Sequence, residues 1–421
     1  MKKYVLFLIC FLFCVPANAD MYSALQQVYQ TNPQILSARQ KVKSASAGID
    51  LARTGWQPSV GATAGIARAK TKLNNADFDY TQKQVGITLS ENIFHGFSTT
   101  AQIDAAKSMA VLEKANLYAT EQDVFLQAVN AYINVLNARE VLNLDKNNQK
   151  VLEEYFSLCE QKEKVGVLTK TDLAQAKARL ELAKYAVIDA NAGYENALET
   201  FRRIYGSLQE NYTDIELNGT RQFFPKSIND AEKTALKSHP AILAAAAGYE
   251  AAKSNVTVSR ESYMPSIDIK ASAVKLKDVP VIDEVSDGRI GIYLTVPLYD
   301  KGTAFARTDK AEYEASALKE NITQTQRIVL EKLRQAWNIY QAQGAAIETA
   351  QMRINANRLA LEGVRDAQER GRRTVLDVLN AEQELLDSKV SLTRAKHAQI
   401  SAYFSVLSGA GLLTADNLGL K

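Results

Sequence analysis

A chain of 421 residues with 46% hydrophobic content can bury a large core, and its mean hydropathy of −0.21 excludes a polytopic helical membrane protein. Formal charge is +3, and setting aside Lys2 and Lys3 of the leader leaves about +1. Fifty basic against 47 acidic side chains therefore read as mixed-sign helix surface, with no bias toward nucleic acid.

Lys2-Lys3, the apolar run 4–15 and Pro16-Ala17-Asn18-Ala19 read as a signal peptide, residues 1–19, cleaved after Ala19. The run is too short to span a membrane as a helix. Cys10 and Cys14 stand outside any small-residue lipid-attachment pattern, so no lipid anchor is expected. The mature chain keeps Cys159 alone and forms no internal disulfide, which fits a bacterial envelope protein that folds by packing.

A helical stretch after Asp20 is interrupted at Asn32-Pro33 and stopped by Trp56-Gln57-Pro58. Val60, Ala62, Ala64 and Ile66 then alternate with small or polar residues, a first strand, and residues 85–90 form a second. Residues 70–82 read as the polar loop between them. From about 98 to 164 there is no proline, and Phe125, Ala128, Val129, Tyr132 and Leu136 make one apolar stripe at helical spacing. At 1.5 Å per residue this is a rod of ~100 Å. A break at 165–169 leads to a second helix, 172–205.

The pattern then repeats. Asn32-Pro33 returns as His239-Pro240 and Gln57-Pro58 as Met264-Pro265, both 207 residues later. Residues 267–273 alternate as a third strand. In the fourth, Ile290, Ile292, Leu294, Val296 and Leu298 point one way and Gly291, Tyr293, Thr295 and Pro297 the other. Residues 276–288 read as a second polar loop, whose acids, with those of 70–82, make solvated caps. A proline-free rod follows from 303 to 369 with Trp337 in the place of Tyr132, then a last helix to about 408. The organisation is a first repeat at 20–206, an irregular insertion at 207–228, a second repeat at 229–408 and a tail at 409–421. The fold class is mainly α with a four-strand β portion.

Nine alternating residues at 290–298 are about what a tilted bilayer-spanning strand needs. Four strands cannot close a barrel, and open edges do not persist in lipid. Transmembrane strands here therefore require several chains: a dimer supplies eight strands and a trimer twelve. Trp56, Phe94, Tyr263 and Tyr299, at the strand ends, fit a membrane-interface girdle, though packing under a hairpin accounts for aromatics there as well.

The Asn32-Pro33 and His239-Pro240 pairs, Pro58 and Pro265, Pro297-Leu298-Tyr299 and the turn Val165-Gly166-Val167-Leu168-Thr169-Lys170-Thr171-Asp172 together resemble the TolC family of outer-membrane efflux proteins over essentially the whole mature length. The resemblance implies a homotrimer whose twelve-stranded transmembrane barrel in outer-membrane lipid continues as a periplasmic α-helical barrel of long hairpins. It also implies a periplasmic adaptor (a membrane fusion protein) and an inner-membrane pump of RND, ABC or MFS type, in tripartite efflux or type I secretion. Such a protein is a passive duct opened at its periplasmic end. A periplasmic helical scaffold or adhesin is the competing class.

Thr169-x-x-Asp172 and Thr374-x-x-Asp377 read in their own right as capping boxes, with Gly166 and Gly371 stopping the rods. The resemblance adds roles to these turns. Val165, Gly166, Val167, Leu168, Thr169, Arg370, Gly371 and Arg372 are the adaptor-docking tips. Asp377 matches an inward-pointing constriction acid, whose three copies would raise one another's pKa. The family's second constriction acid is Asn380 here, which weakens any cation gate. Arg373 matches an arginine that bonds the neighbouring hairpin through Thr171 and Asp172. A family tyrosine is Gln368, and the glutamine it meets is Tyr155, so that latch pair is exchanged.

His95, His239 and His397 have no second ligand at helical or turn spacing, so no metal is expected. No Gly-x-x-x-x-Gly-Lys loop and no Gly-x-Ser-x-Gly elbow occurs, so neither ATP nor any other cofactor is expected, and no enzyme.

Overall fold

The computed structural model describes residues 21–73, 76–208, 212–215, 217, 220–280 and 282–420; the expected signal peptide at 1–19 lies outside the described residues. The elements in order are α1 (Met21–Thr31), α2 (Pro33–Arg53), β1 (Ser59–Leu73), β2 (Ala76–His95), α3 (Ser98–Lys164) and α4 (Lys170–Tyr205), then α5 (Ile228–Ser238), α6 (Pro240–Ser259), β3 (Ser266–Val279), β4 (Ile282–Thr295), α7 (Thr303–Glu369) and α8 (Val375–Gly409). Each half of the chain thus runs helix, helix, hairpin, 67-residue helix, helix. Two compact units result, and α3 and α7 contribute residues to both.

One unit holds residues 21–36, 121–235 and 330–420. Its apolar stripe on α3 is fully buried: Phe125, Ala128, Val129 and Tyr132 have no exposed surface. Tyr132 packs on Phe201 and Tyr212, and Phe201 stacks on Tyr205 at 4.0 Å. In the second half Phe224 stacks on Trp337 and on Tyr403. The inter-repeat insertion thus supplies one ring to each aromatic cluster, Tyr212 to the first and Phe224 to the second. Nearer the interhelical turns, Leu152, Cys159, Leu180, Val375 and Leu379 form one apolar cluster, and Leu361, Val378 and Leu385 another; Tyr155 packs against both.

The other unit holds 37–120 and 236–329 and contains the sheet. Its order is β1-β2-β3-β4, antiparallel throughout, so β1 and β4 are its two edges. Both hairpins are longer than the alternation alone indicated. Residues expected to be loop at 70–82 and 276–288 pair almost to the turn, with Lys70 opposite Asp79 and Lys277 opposite Glu284. Apolar alternation stops there while backbone pairing continues, because charged cross-strand partners also satisfy a ladder. Strand β4 ends at Thr295, so Val296, Pro297 and Leu298 leave the ladder: β3 begins only at Ser266, after Pro265, and Pro297 has no N–H to give.

Where each hairpin meets its long helix, two successive residues have positive φ: Gly96 and Phe97, then Lys301 and Gly302. Gly96 is required twice over, since a Cβ there would lie 2.4 Å from Cβ of Met264. Asp300 starts the second rod by accepting from the N–H groups of Gly302 and Ala304.

Candidate functional site

The register sorts every sheet residue onto one of two faces. Val60, Ala62, Ala64 and Ile66 of β1 lie level with Leu89, Ile87, Val85 and Lys83 of β2. Ala271 and Ala273 continue the row on β3, and Ile290 and Ile292 on β4, opposite Ala271 and Ile269. This face is apolar and open: Ile290 is 80% exposed, Ile292 and Ile66 74%. The opposite face carries Thr63, Gln84, Thr88, Ser90, Lys270, Ser272 and Tyr293, and its β3 residues Ser272, Val274 and Leu276 are partly covered. Lys270 lies over the Tyr293 ring at 5.6 Å, and that ring folds onto Gly291, where a Cβ would approach it to 3.2 Å.

Among described residues, then, a sheet with two unpaired edges presents one apolar and one polar face. That is the half-lipid, half-water pattern of a barrel segment.

The expected girdle residues all sit at the helix end of the sheet. Trp56 and Tyr263 lie in 3₁₀ turns just before β1 and β3, Phe94 near the end of β2, and Tyr299 past β4. Trp56 and Tyr299 are open, at 47% and 87% exposure. Phe94 meets Phe97 edge-on, and Tyr263 stacks on Phe305. Phe97 and Phe305, both exposed, are thus neighbours of two of the expected girdle residues. They were missed because they sit beside or inside the helix starts rather than on a strand.

The two interhelical turns share one backbone design. At the end of α3, Gly166 (φ 77°) donates to Glu163 O and Val167 to Lys162 O. At the end of α7, Gly371 (φ 70°) donates to Gln368 O and Arg372 to Ala367 O. Each is a Schellman ending, which needs a left-handed residue and hence glycine. Each next helix opens with a full capping box. Thr169 Oγ1 accepts from Asp172 N at 3.1 Å while Asp172 accepts from Thr169 N at 3.1 Å. Thr374 and Asp377 repeat this at 3.2 and 2.9 Å. The tips differ in chemistry: Val165 and Val167 are 74% and 68% exposed, whereas Arg370, Arg372 and Arg373 are exposed cations. Leu168 turns inward onto the cluster of Leu152 and Leu379.

Both residues expected at the constriction have partners within the chain. Bonds from the Thr374 backbone and hydroxyl hold the Asp377 carboxyl below its usual range, and Arg373, 3.8 Å away, adds to this. In the single chain the shift is therefore opposite to that expected of a carboxylate ring. Asn380 accepts from Arg179 Nη2 at 2.7 Å, linking α4 to α8. Of the residues expected to form a latch, Asp172 is engaged by Thr169 and Arg373 by Asp377, and Arg373 and Asp172 do not pair within one chain. Thr171 is exposed on the first turn of α4, and Gln368 half-buried at the end of α7. The Tyr155 hydroxyl is buried without a well-formed hydrogen bond, beside Cys159. Burial pushes the Tyr155 phenol and the Cys159 thiol up.

The cap makes a pH prediction. A carboxyl depressed on folding stabilises above its unfolded pKa, and that contribution disappears as pH falls through the folded value. Thr374→Ala is expected to cost about 1 kcal/mol at neutral pH and less at a pH low enough to protonate Asp377, where the bond from Asp377 N to the Thr374 hydroxyl remains, measured by urea unfolding of the purified chain at both pH values. Equal losses at both would mean the carboxylate takes no part.

Histidines are dispersed: His95 Nε2 lies 3.3 Å from Glu261, His397 Nε2 3.3 Å from Glu140, and His239 Nδ1 accepts from Ala241 N ahead of α6. No helix among the described residues is long and apolar enough to cross a membrane.

Comparison with known proteins agrees with this geometry. The family model for outer membrane efflux protein matches residues 24–207 and again 232–411, once per half. The chain is 31% identical over 408 residues to the outer membrane efflux protein BepC of Brucella suis, covering 96% of this chain and 88% of BepC. It is 24% identical to the outer membrane protein TolC of Vibrio cholerae, over 96% of this chain and 93% of that one. In fold it is similar to the Campylobacter jejuni CmeC outer membrane channel, with TM-score 0.83 at 19% identity, over 94% of this chain and 86% of that chain. The scaffold or adhesin alternative falls with these matches. This chain, duplicated in its helices and strands alike, belongs to the outer membrane efflux protein family: it is an outer-membrane channel of tripartite efflux or type I secretion, with a periplasmic helical domain.

Proposed function

We propose that three copies close a twelve-stranded barrel and that the duct so formed is passive, opened at its periplasmic end when an adaptor engages the two interhelical turns. The observation that carries this is the sheet: four strands, unpaired edges at β1 and β4, and one apolar face left open. Edges of that kind in lipid must be completed by another copy. Twelve strands rather than eight follows from the family. Energy comes from an inner-membrane pump of RND, ABC or MFS type. Heat-modifiable trimers in outer-membrane fractions, with ion conductance in planar bilayers, are expected; a monomer without conductance would reject the reading.

The adaptor-docking tips are Val165, Gly166, Val167, Leu168 and Thr169 on the first turn and Arg370, Gly371 and Arg372 on the second. Cysteines at 166 and 371 should crosslink to the adaptor.

In the closed entrance Asp377 from three chains lines the constriction. The cap keeps each carboxyl ionised at neutral pH, while Asn380, held by Arg179, adds no charge. The latch runs between neighbouring hairpins, Arg373 with Thr171 and Asp172, and Tyr155 with Gln368. Arg373 has capacity for this, since a guanidinium has five donors and its contact with Asp377 is loose. Exposed pairs are worth under about 1 kcal/mol each, so an adaptor opens the latch at little cost. Arg373→Ser with Asp172→Ala is expected to raise single-channel conductance; unchanged conductance sinks the latch.

A further inference from the structure

Toward the hairpin turns, the same face of the sheet turns basic. Strand β1 carries Arg68, Lys70 and Lys72 in line with Val60 and Ile66; β2 adds Lys83, and β3 adds Lys275 and Lys277, all exposed. The acids among them are fewer. Arg68 Nε and Nη2 donate to both oxygens of Asp79 at 2.9 Å, with Lys70 4.0 Å from the same carboxylate. Glu284 likewise serves both Lys275 and Lys277, and Asp278 meets Lys83 at 2.9 Å. With Asp77 opposite Lys72, six cations face four acids. Two carboxylates are each shared by two cations, so ammonium donors remain for a further anion.

The height of this belt identifies what it meets. The hairpins' helix ends are periplasmic, so their turns point outward; the basic residues begin level with Ala64 at Lys275, level with Ile66 at Lys83 and Lys277, and one alternation beyond Ile66 at Arg68. From residue 68 to residue 72 the strand rises about 13 Å, about 9 Å of depth at the ~45° tilt of a barrel strand, which covers one headgroup layer of about 5–8 Å and reaches past it. The opposite face at that level carries Ala67, Ala69, Thr71, Tyr80 and Gln82, with no cation. A belt required only for solubility would be expected on both faces.

We propose that Arg68, Lys70, Lys72, Lys83, Lys275 and Lys277 form a lipid-binding belt that holds the phosphate groups of phosphorylated lipid headgroups in the outer leaflet. The inference rests on the membrane-facing barrel proposed above. Charge and depth act together: the acyl chains lie on the apolar band and bring each phosphate to the level of the lysines.

The test uses purified wild-type trimer in maltoside detergent and native mass spectrometry. The probes are a hexa-acyl glucosamine disaccharide lipid bearing two phosphates and the same lipid after phosphatase treatment. The trimer is expected to retain the phosphorylated lipid at least tenfold better. Each basic side chain near an anionic surface contributes about a factor of five, so Lys70→Ser/Lys72→Ser/Lys277→Ser should lower retention about tenfold to a hundredfold. Lys270→Ser, on the polar face, should leave it unchanged. Equal retention of the two lipids, or an equal loss in Lys270→Ser, overturns the proposal. Displacement by excess inorganic phosphate overturns the lipid assignment in favour of a bare anion site. Should the triple variant fail to assemble, the two lipids on the wild-type trimer still decide. Normal trimers and conductance without phosphate preference reject the belt alone; absence of trimers rejects the barrel beneath it.

Discussion

Ile290→Arg is expected to abolish assembled channel in the outer membrane, although Ile290 is 80% exposed in the single chain. In water such a substitution would be nearly neutral. On the lipid face of a barrel an arginine near the bilayer midplane costs about 2–4 kcal/mol, and a ring of three carries it three times. Ile290 lies opposite Ala271 in the middle of the apolar band, where no headgroup is within easy reach. Tyr293→Arg is the matched control: three residues along the same strand, on the polar face, it should assemble normally. The measurement is the yield of heat-modifiable trimers in membrane fractions. Equal yields from both variants would mean that the apolar face does not meet lipid.

Tyr132→Ala should destabilise its unit by about 3–5 kcal/mol, the cost of emptying an aromatic site in a core. Tyr132 has no exposed surface and packs on Phe201 and Tyr212. Its hydroxyl also donates to Thr213 O and accepts from Thr213 N, both at 2.9 Å, tying the inter-repeat insertion to α3. Tyr132→Phe separates the two contributions. It keeps the ring but leaves the Thr213 backbone unsatisfied, so about 1–3 kcal/mol is expected, together with faster proteolysis within 208–220. If Phe behaves as wild type, the hydroxyl does not anchor the insertion. Urea unfolding of the detergent-solubilised chain, with peptide mapping of early cuts, checks both.

Helix boundaries were almost fully legible in the residues. The rods read at about 98–164 and 303–369 match α3 and α7. Those ends are marked by local chemistry: Gly166 and Gly371 stop the rods, and Thr169 and Thr374 begin the next helices. The strands were legible only where one face was apolar. Residues 70–82 and 276–288 lack that alternation, so their pairing stayed hidden, and charged partners such as Lys277 and Glu284 became visible as cross-strand neighbours only through the register. The turns were read correctly as caps. In the single chain the bonds to Thr374 hold the Asp377 carboxyl below its usual range, whereas the mutual effect expected of three copies belongs to the assembled ring.

Period and punctuation in the residue order thus determined the secondary structure, the duplication and the need for partner strands, since each of these depends on neighbours a few positions apart or on composition. Tertiary structure decided what lies beside what: Asn380 beside Arg179, Tyr155 between two apolar clusters, and basic residues gathered on one face of three strands. Those relations join residues up to about 200 positions apart, and no local periodicity encodes them. They are set by the register of the ladder and by which helix faces are apolar enough to be buried together.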